Sequence, residues 1–563
     1  MTLFGWVWLA GCGPAVVGEI PSTPDSDPWL DPAPPLLADT DPDENRFVGT
    51  LRVAPSTWEP SPGVFVQGNA YNGTVPGPLI RVAVGSDVSV TFVNDNAADW
   101  EDTVHWHGIE GNNAADGTGV TQSHVHPGGS FVYDFRVTRP GLYWYHPHHR
   151  GAQGVFNGSY GPLWVQDADE AELVAAGVLP SDARVLVLAD VSEAGGVPFS
   201  VETDNAMEIM NGTEGSRLLV NGVEDPVFEI AAGGAVRLLV LNASIVRFWR
   251  LSVPGHTLYR VGGQGGLLDA VRVEGGTSTG QVVSLADGAD LGSVEVPLGF
   301  PRGEIVLAPA ERADLVLVPN GVVGDELELR WEDVARGRHG MWMAGDTMVM
   351  GDADDDGARL GETVATFRLV DRPTEPWKLT EGDPVLGAVG RTVGRPSIDG
   401  AVNRVGEDAM VFSELMDMSL DANGIWQMST ALYVDGQSWL PEQHSGPTTP
   451  LSPTSFTAKL GETLLWEVRN ESDMSHPVHI HGFSYQMLSF RSEDELAGTA
   501  TTWSVGWDEW VDTTRLPSRT SLFVAMPLLD PVGDGEALGR WMRHCHIFQH
   551  GENGMMSEFS VER

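Results

Sequence analysis

Short runs in which apolar and polar residues alternate recur along most of the chain. In the first third these are "VGTLRVA", "PLIRVAVG", "DVSVTFVN", "SFVYDFRV", "GLYWYHPH" and "GPLWVQD". They are rich in Val, Phe and Tyr and are bounded by Gly, Pro, Asn and Asp. Alternation of period two sends successive side chains to opposite faces, so each run reads as a strand with one buried face. Helical periodicity is scarce, and "DEAELVAAGV" is the best short helix candidate. A second block of strands opens near Asp182 with "ARVLVLADVS" and continues through "VRLLVLNAS", "FWRLSV" and "RADLVLVP". A third, from about Val405, holds "TLLWEVRN", "SYQMLSF" and "TSLFVAM". A Pro-rich, polar stretch, "DRPTEPWKLTEGDPVLGAVGRTVGRP", separates the last two. The pattern predicts an all-β chain of three β-sandwich domains over residues 46–168, 182–372 and 405–563, a division that suits a length of 563 residues.

Composition changes this picture at the N-terminus and at the surface. Residues 13–45 are rich in Pro, Asp and Ser and cannot bury a core, so they read as a tether. Before them, Cys12 closes "LAGC" after the apolar run "LFGWVWLA". Residues 1–12 resemble a bacterial lipoprotein signal. That predicts an exported protein, periplasmic or at the cell surface, anchored to a membrane by lipid on Cys12; an ordinary secretory signal is the alternative. No run of 18 apolar residues suggests a membrane-spanning helix. The formal net charge of −45 argues against a nucleic-acid partner, which needs a basic footprint, and permits attraction of cations. It serves solubility equally well. Two cysteines cannot build a disulfide framework.

The candidate chemistry lies in the histidines. Ten of the 16 fall into four clusters: His105 and His107 in "HWHG", His146 and His148 in "YHPHH", His476, His479 and His481 in "HPVHIHG", and His544, His546 and His550 in "HCHIFQH". Each cluster contains an H-x-H pair, and on a strand residues i and i+2 share a face. Each pair can therefore present two neutral imidazoles, the commonest side-chain metal ligand, to one site. Two pairs lie in the first domain and two in the last, so eight histidines from the two ends of the chain can meet at one interface. Cys545 sits between His544 and His546 and must point to the other face. There it can join His476 and His550 in a second site. A thiolate, two imidazoles and a weak axial Met form the ligand set of a blue-copper electron-transfer centre, and Met555, five residues past His550, is within reach. Structural zinc prefers several thiolates or one compact set of four ligands.

These motifs, in this order, resemble the multicopper oxidases, the family of laccases, bilirubin oxidases and bacterial copper oxidases. The likeness covers about residues 47–563 and includes "YNGTVPGPLIRVAVGSDVSVTFVN", "PGHTLYRVGGQGGLLDAVRV" and "GRWMRHCHIFQHGENGMM". It implies three cupredoxin-like Greek-key domains and four copper ions, one type 1, one type 2 and two type 3. It further implies that His476, Cys545, His550 and axial Met555 hold type 1, and that His105 and His479 hold type 2. His107, His146 and His546 would hold one type 3 ion, and His148, His481 and His544 the other. The implied reaction is four one-electron oxidations of a reductant, with O₂ reduced to two waters and electrons leaving through Cys545. By the same resemblance Asp116, in "NNAADGTGVTQ", stands where the family carries an acid near the type 2 copper. Bacterial relatives often carry Glu just before the second type 1 histidine. Here that residue is Gln549, which cannot shuttle a proton, so the expected route leans on Asp116, assisted by Glu552 should that side chain turn inward.

The remaining histidines, His124, His126, His149, His256, His339 and His444, match no ligand position and read as surface or loop residues, with His149 pointing away from the cluster. The leading expectation for the reductant is a phenol or aromatic amine, as in laccases; the alternative is Cu(I), Fe(II) or Mn(II). "MWMAGDTMVMGDADDDG" bears on that choice. Thioethers at Met341, Met343, Met348 and Met350 suit Cu(I), and carboxylates suit Mn(II) or Fe(II); the same alternation also fits core methionines on a strand. Oligomeric state is not readable.

Overall fold

A computed structural model describes residues 29–563, except 98, 203–204, 335, 338, 345–346, 353–360, 421–425, 441–442 and 444–445. The Cys12 signal, residues 13–28 of the tether, His444 and the acidic run at 353–357 lie outside the described residues. Strand makes up 46% of the chain and helix 7%, and the sheets pair into three cupredoxin-like Greek-key sandwiches.

Alternation builds the first sandwich as the pattern predicts. In the strand Asp87–Asn94, Val88, Val90 and Phe92 are buried and their neighbours face outward. This strand lies parallel to Arg46–Ser61 and antiparallel to Ser130–Arg136. The facing sheet runs Ile80–Ala83, Gly161–Gln166, Gly141–His146, His105–His107. The second sandwich packs a six-stranded sheet on a five-stranded one around Trp249, Trp331, Phe228 and Phe367. The third places its five-stranded sheet, Phe456–Lys459, Met556–Glu562, Gly539–Cys545, His476–Ile480, Thr513–Leu516, against a larger sheet that includes Thr463–Asn470 and Thr520–Pro527.

Three features were not legible from the pattern. The hairpin Thr277–Ser284 and Asp290–Pro297 lies in the second block of sequence, yet it hydrogen-bonds to Thr499–Trp503 and extends the third domain's sheet. The Pro-rich stretch between the last two blocks is not a bare spacer. It tucks Trp377, Val385 and Leu386 into an apolar cluster with Leu173 and Val178, and the Trp377 indole donates to Val178 O at 2.8 Å. The described end of the tether is pinned as well, because Leu30 bridges to Val227 and Leu36 to Leu79. The single predicted helix forms as Glu170–Ala175, with Leu173 its buried residue in the cluster.

Candidate metal centre

Two neighbouring strands of the third domain set the geometry. His476–Ile480 pairs with Gly539–Cys545 so that Val478 faces Cys545 and His479 faces His544. Alternation then puts His476 and Cys545 on one face and His479 and His544 on the other. The next strand follows the same rule: His544 pairs with Met556, and Cys545 N–H donates to Met555 O at 3.1 Å. Met555, fully buried in the same core as Cys545, therefore belongs to the cysteine's face.

The short helix Phe548–Glu552 turns His550 back towards Cys545. The Cys545 Sγ lies 3.4 Å from His476 Nδ1 and 3.6 Å from His550 Nδ1, and the two Nδ1 atoms are 3.2 Å apart. The outer nitrogens are engaged elsewhere. His476 Nε2 meets Ser472 Oγ at 2.7 Å, and His550 Nε2 donates to Met210 O at 2.9 Å. Those bonds leave lone pairs on both Nδ1 atoms pointing at the sulfur. Burial pushes the Cys545 thiol well above its ordinary range. A thiolate in such a place needs a cation, and metal binding is what strips the proton.

On the opposite face lie eight imidazoles from two domains. His105 pairs with His146 across the first domain's strands. His107 stacks on His479 with ring centres 3.8 Å apart, and His105 stacks on His481 at 4.1 Å. Inner nitrogens converge: His481 Nε2 and His544 Nε2 are 3.0 Å apart, and His107 Nδ1 and His546 Nε2 are 3.2 Å apart. The Nε2 atoms of His105, His146 and His479 are buried without a hydrogen-bond partner. Their Nδ1 atoms meet Asp116 O at 2.6 Å, Pro147 O at 2.9 Å and Asp512 O at 3.0 Å. Outer N–H bonded to oxygen and inner lone pair bare is how ligand histidines are oriented for a metal. Burial lowers the pKa of His105, His146 and His479, with His105 pushed down to about 3. Four groups have donor atoms within 4.8 Å of one another: His105, His107 and His479; His107, His146 and His546; His148, His481 and His544; His476, Cys545 and His550. Ten imidazoles and one thiolate with converging lone pairs suit copper.

The acids are placed unequally. Asp116 sits against the eight-histidine pocket, its carboxylate 3.1 and 3.2 Å from His481 Nδ1 and accepting from Thr118 Oγ1 at 2.9 Å. Burial pushes its carboxyl up to about 7. Glu552 does turn inward. It lines a cavity with His146, His148, His544 and His546, accepts from Ala152 N at 3.0 Å, and is raised by burial to about 7. Gln549 faces away from the pocket: its Nε2 donates to Val201 O at 3.0 Å and Thr213 Oγ1 at 3.1 Å, and its Oε1 accepts from Thr213 N. Its amide ties the His550 helix to the second domain.

Sequence reading missed a group from all three domains. Asp512 Oδ1 lies 2.9 Å from His107 Nε2. Arg312, fully buried, donates to Asp512 through both terminal nitrogens at 2.7 and 2.5 Å and through Nε to Leu142 O at 2.7 Å. Lone residues without a repeat carry no signal that could have found them. It also missed the cover on His550, the helix Ala206–Asn211, whose Asn205 cap accepts from Met207 N at 3.0 Å. Beside this helix packs the hairpin His339–Ala344 and Thr347–Asp352, in which Met341 pairs with Met350 and Met343 with Met348. Of the six histidines set aside, His256 is bound at a surface turn to Pro254 O, His339 begins that hairpin, and His124, His126 and His149 gather around Glu101.

Family models described as "Multicopper oxidase" match residues 52–170 and 425–563. A multicopper oxidase of Staphylococcus aureus is 23% identical over 94% of this chain and 92% of its own length. Laccase-1 of Botryotinia fuckeliana is 26% identical over 87% of this chain and 77% of its own. Among solved structures, a multicopper oxidase from Campylobacter jejuni, described as a metallo-oxidase, superposes with a TM-score of 0.67 at 21% identity, covering 95% of each chain.

Proposed function

The chain belongs to the multicopper oxidase family, and on that footing we propose that it is a metallo-oxidase, taking single electrons from a metal ion, Cu(I) foremost, and delivering four of them to O₂. Bound copper would supply the one-electron chemistry and the site of O₂ reduction. His476, Cys545 and His550 with Met555 would hold one ion, His105 and His479 a second, His107, His146 and His546 a third, and His148, His481 and His544 a fourth.

One observation carries the choice of reductant. The Nε2 of His550 is capped by the Met210 carbonyl, so the imidazole edge that an organic ring would touch is sealed. The helix Ala206–Asn211 lies over that edge of His550, and the hairpin packed beside this helix pairs Met341 with Met350 and Met343 with Met348 in register. Soft thioethers suit Cu(I). The laccase-like reading, oxidation of phenols or aromatic amines, has the Botryotinia relative in its favour and would require this cover to move.

The chain's own groups divide the remaining work. Cys545, flanked by His544 and His546, links the two ligand sets through a few covalent bonds. Asp116 places a carboxyl beside His481 and Glu552 another at the cavity wall, each raised by burial to about 7, near the pH at which a carboxyl can both give and regain a proton. The buried walls exclude bulk water. The Leu9–Cys12 motif supports export and a lipid anchor as part of the same proposal.

The test is oxygen consumption by one copper-loaded preparation with Cu(I), Fe(II), Mn(II) and 2,6-dimethoxyphenol. The expected result is a kcat/KM for Cu(I) well above that for the phenol. The reverse order would return the assignment to a laccase.

A further inference from the structure

The chain holds a fifth H-x-H pair that the copper pockets do not use: His124-Val125-His126. Asp102 forms an antiparallel bridge with Val125, through Asp102 N to Val125 O at 3.1 Å and Val125 N to Asp102 O at 2.8 Å. Both bridging side chains are buried. Alternation therefore sends Glu101, His124 and His126 together to the other face. Glu101 lies 2.7 Å from His126 Nδ1 and 3.5 Å from His124 Nδ1. His149, from the segment after the His146 strand, stacks on His124 with ring centres 3.9 Å apart at 32°.

We propose that Glu101, His124 and His149, joined by His126, form a further metal site that takes a divalent cation of the Cu(II)/Zn(II) class. One donor atom from each of Glu101, His124 and His149 lies within 4.8 Å of the others. Two or three imidazoles with one carboxylate is a donor set that borderline divalent ions accept. Carboxylate pairing alone accounts for His126 and His124, but it does not bring His149 into the group. The neighbouring cation does not compete for Glu101. Arg150 turns away, paired with Glu202 at 2.5 Å and lying over the Trp100 ring at 4.0 Å.

The position gives the site consequence. His124 and His149 line the same cavity as His146, His148, His544, His546 and Glu552. An ion held by Glu101, His124 and His149 would stand in the wall of that cavity, beside four of the eight clustered histidines. It is distinct from the copper ligands, since none of its residues belongs to those groups.

The test uses the full chain, copper-saturated, freed of excess copper, and titrated with Zn(II). The expected result is one zinc retained per chain at micromolar affinity, with copper content and blue absorbance unchanged. The paired substitution Glu101→Gln and His124→Ala should weaken that zinc by roughly tenfold or more. No retained zinc, or the same affinity in the substituted protein, overturns the site. Should the substituted protein fail to fold, anomalous scattering at the zinc edge from native crystals grown with Zn(II) decides. A peak within bonding distance of Glu101, His124 and His149 supports the site, and no peak there overturns it.

Discussion

The two copper pockets share the strand that carries Cys545 but are built on different principles. The cysteine's pocket is assembled by one domain: His476, Cys545, His550 and Met555 all come from the third sandwich, on two paired strands, a five-residue helix and the turn after it. The eight-histidine pocket has no owner. Half of its imidazoles come from the first domain and half from the third, and the second domain reaches in with Arg312 to fix the joint. A pocket within a domain is as stable as that domain, whereas a pocket between domains is only as stable as their docking. The two should therefore fail separately.

The sharpest separation is expected from Cys545→Ser. Serine is a poor ligand for this copper, so the blue band and substrate oxidation should both vanish, while copper still fills the eight-histidine pocket. A blue, active serine variant would remove Cys545 from the electron path.

Next in size is the converse, loss of the shared pocket with the cysteine's pocket kept. Arg312→Met strands the Asp512 carboxylate, and breaking a buried pair in this way costs about 3–5 kcal/mol. Copper content should fall and O₂ reduction with it, while the blue absorbance per folded chain stays near native. Equal loss of both signals would mean that the domains do not fail independently.

Asp116→Asn probes chemistry inside the shared pocket. The amide keeps a hydrogen bond to His481 but has no proton to give. Reoxidation of the fully reduced enzyme by O₂ should slow roughly 100-fold, with reduction of the blue copper unchanged. Native-rate reoxidation would leave Asp116 as a turn residue and move the task to Glu552.

The smallest effect belongs to Gln549→Glu. Position in the motif suggests that a carboxyl here would restore a proton route and speed reoxidation. The structure reverses that expectation, because the Gln549 amide holds Thr213 and Val201. A carboxylate would leave the buried Val201 carbonyl without its donor, a cost of about 1–3 kcal/mol. The denaturation midpoint should drop and the reoxidation rate should not rise; a faster rate at native stability would sink the tether role.

This contrast also explains what could be read beforehand. His105 with His107 and His544 with His546 announce themselves because a strand's period of two is short and local, and Cys545 is legible for the same reason. Arg312 and Asp512 are 200 residues apart, and nothing near either hints at the other. Gln549 was read as a residue that cannot relay a proton, but its tethering contact was not foreseen, because its partner Thr213 lies 336 residues away. His124 and His126 carried the same H-x-H signal as the copper ligands. What hid their company was His149, whose approach depends on how the loop after His146 folds back. The alternating strands foretold the sandwiches, but not which sheet the hairpin at Thr277–Pro297 would join.

That hairpin bears on any attempt to cut or recombine the molecule. A protein truncated anywhere in residues 371–404 would look, by length and composition, like a tidy two-domain fragment. It would nonetheless carry the strand Thr277–Ser284 without the Thr499–Trp503 partner that covers its backbone. An open strand edge is a template for pairing with another chain, and Leu291 and Val294 on the outer strand are already exposed. Such a fragment should self-associate. A chimaera that exchanges the last domain for a relative's inherits the same fault unless the crossover also carries Thr277–Pro297, so the unit of exchange is the last domain together with a piece of the one before it.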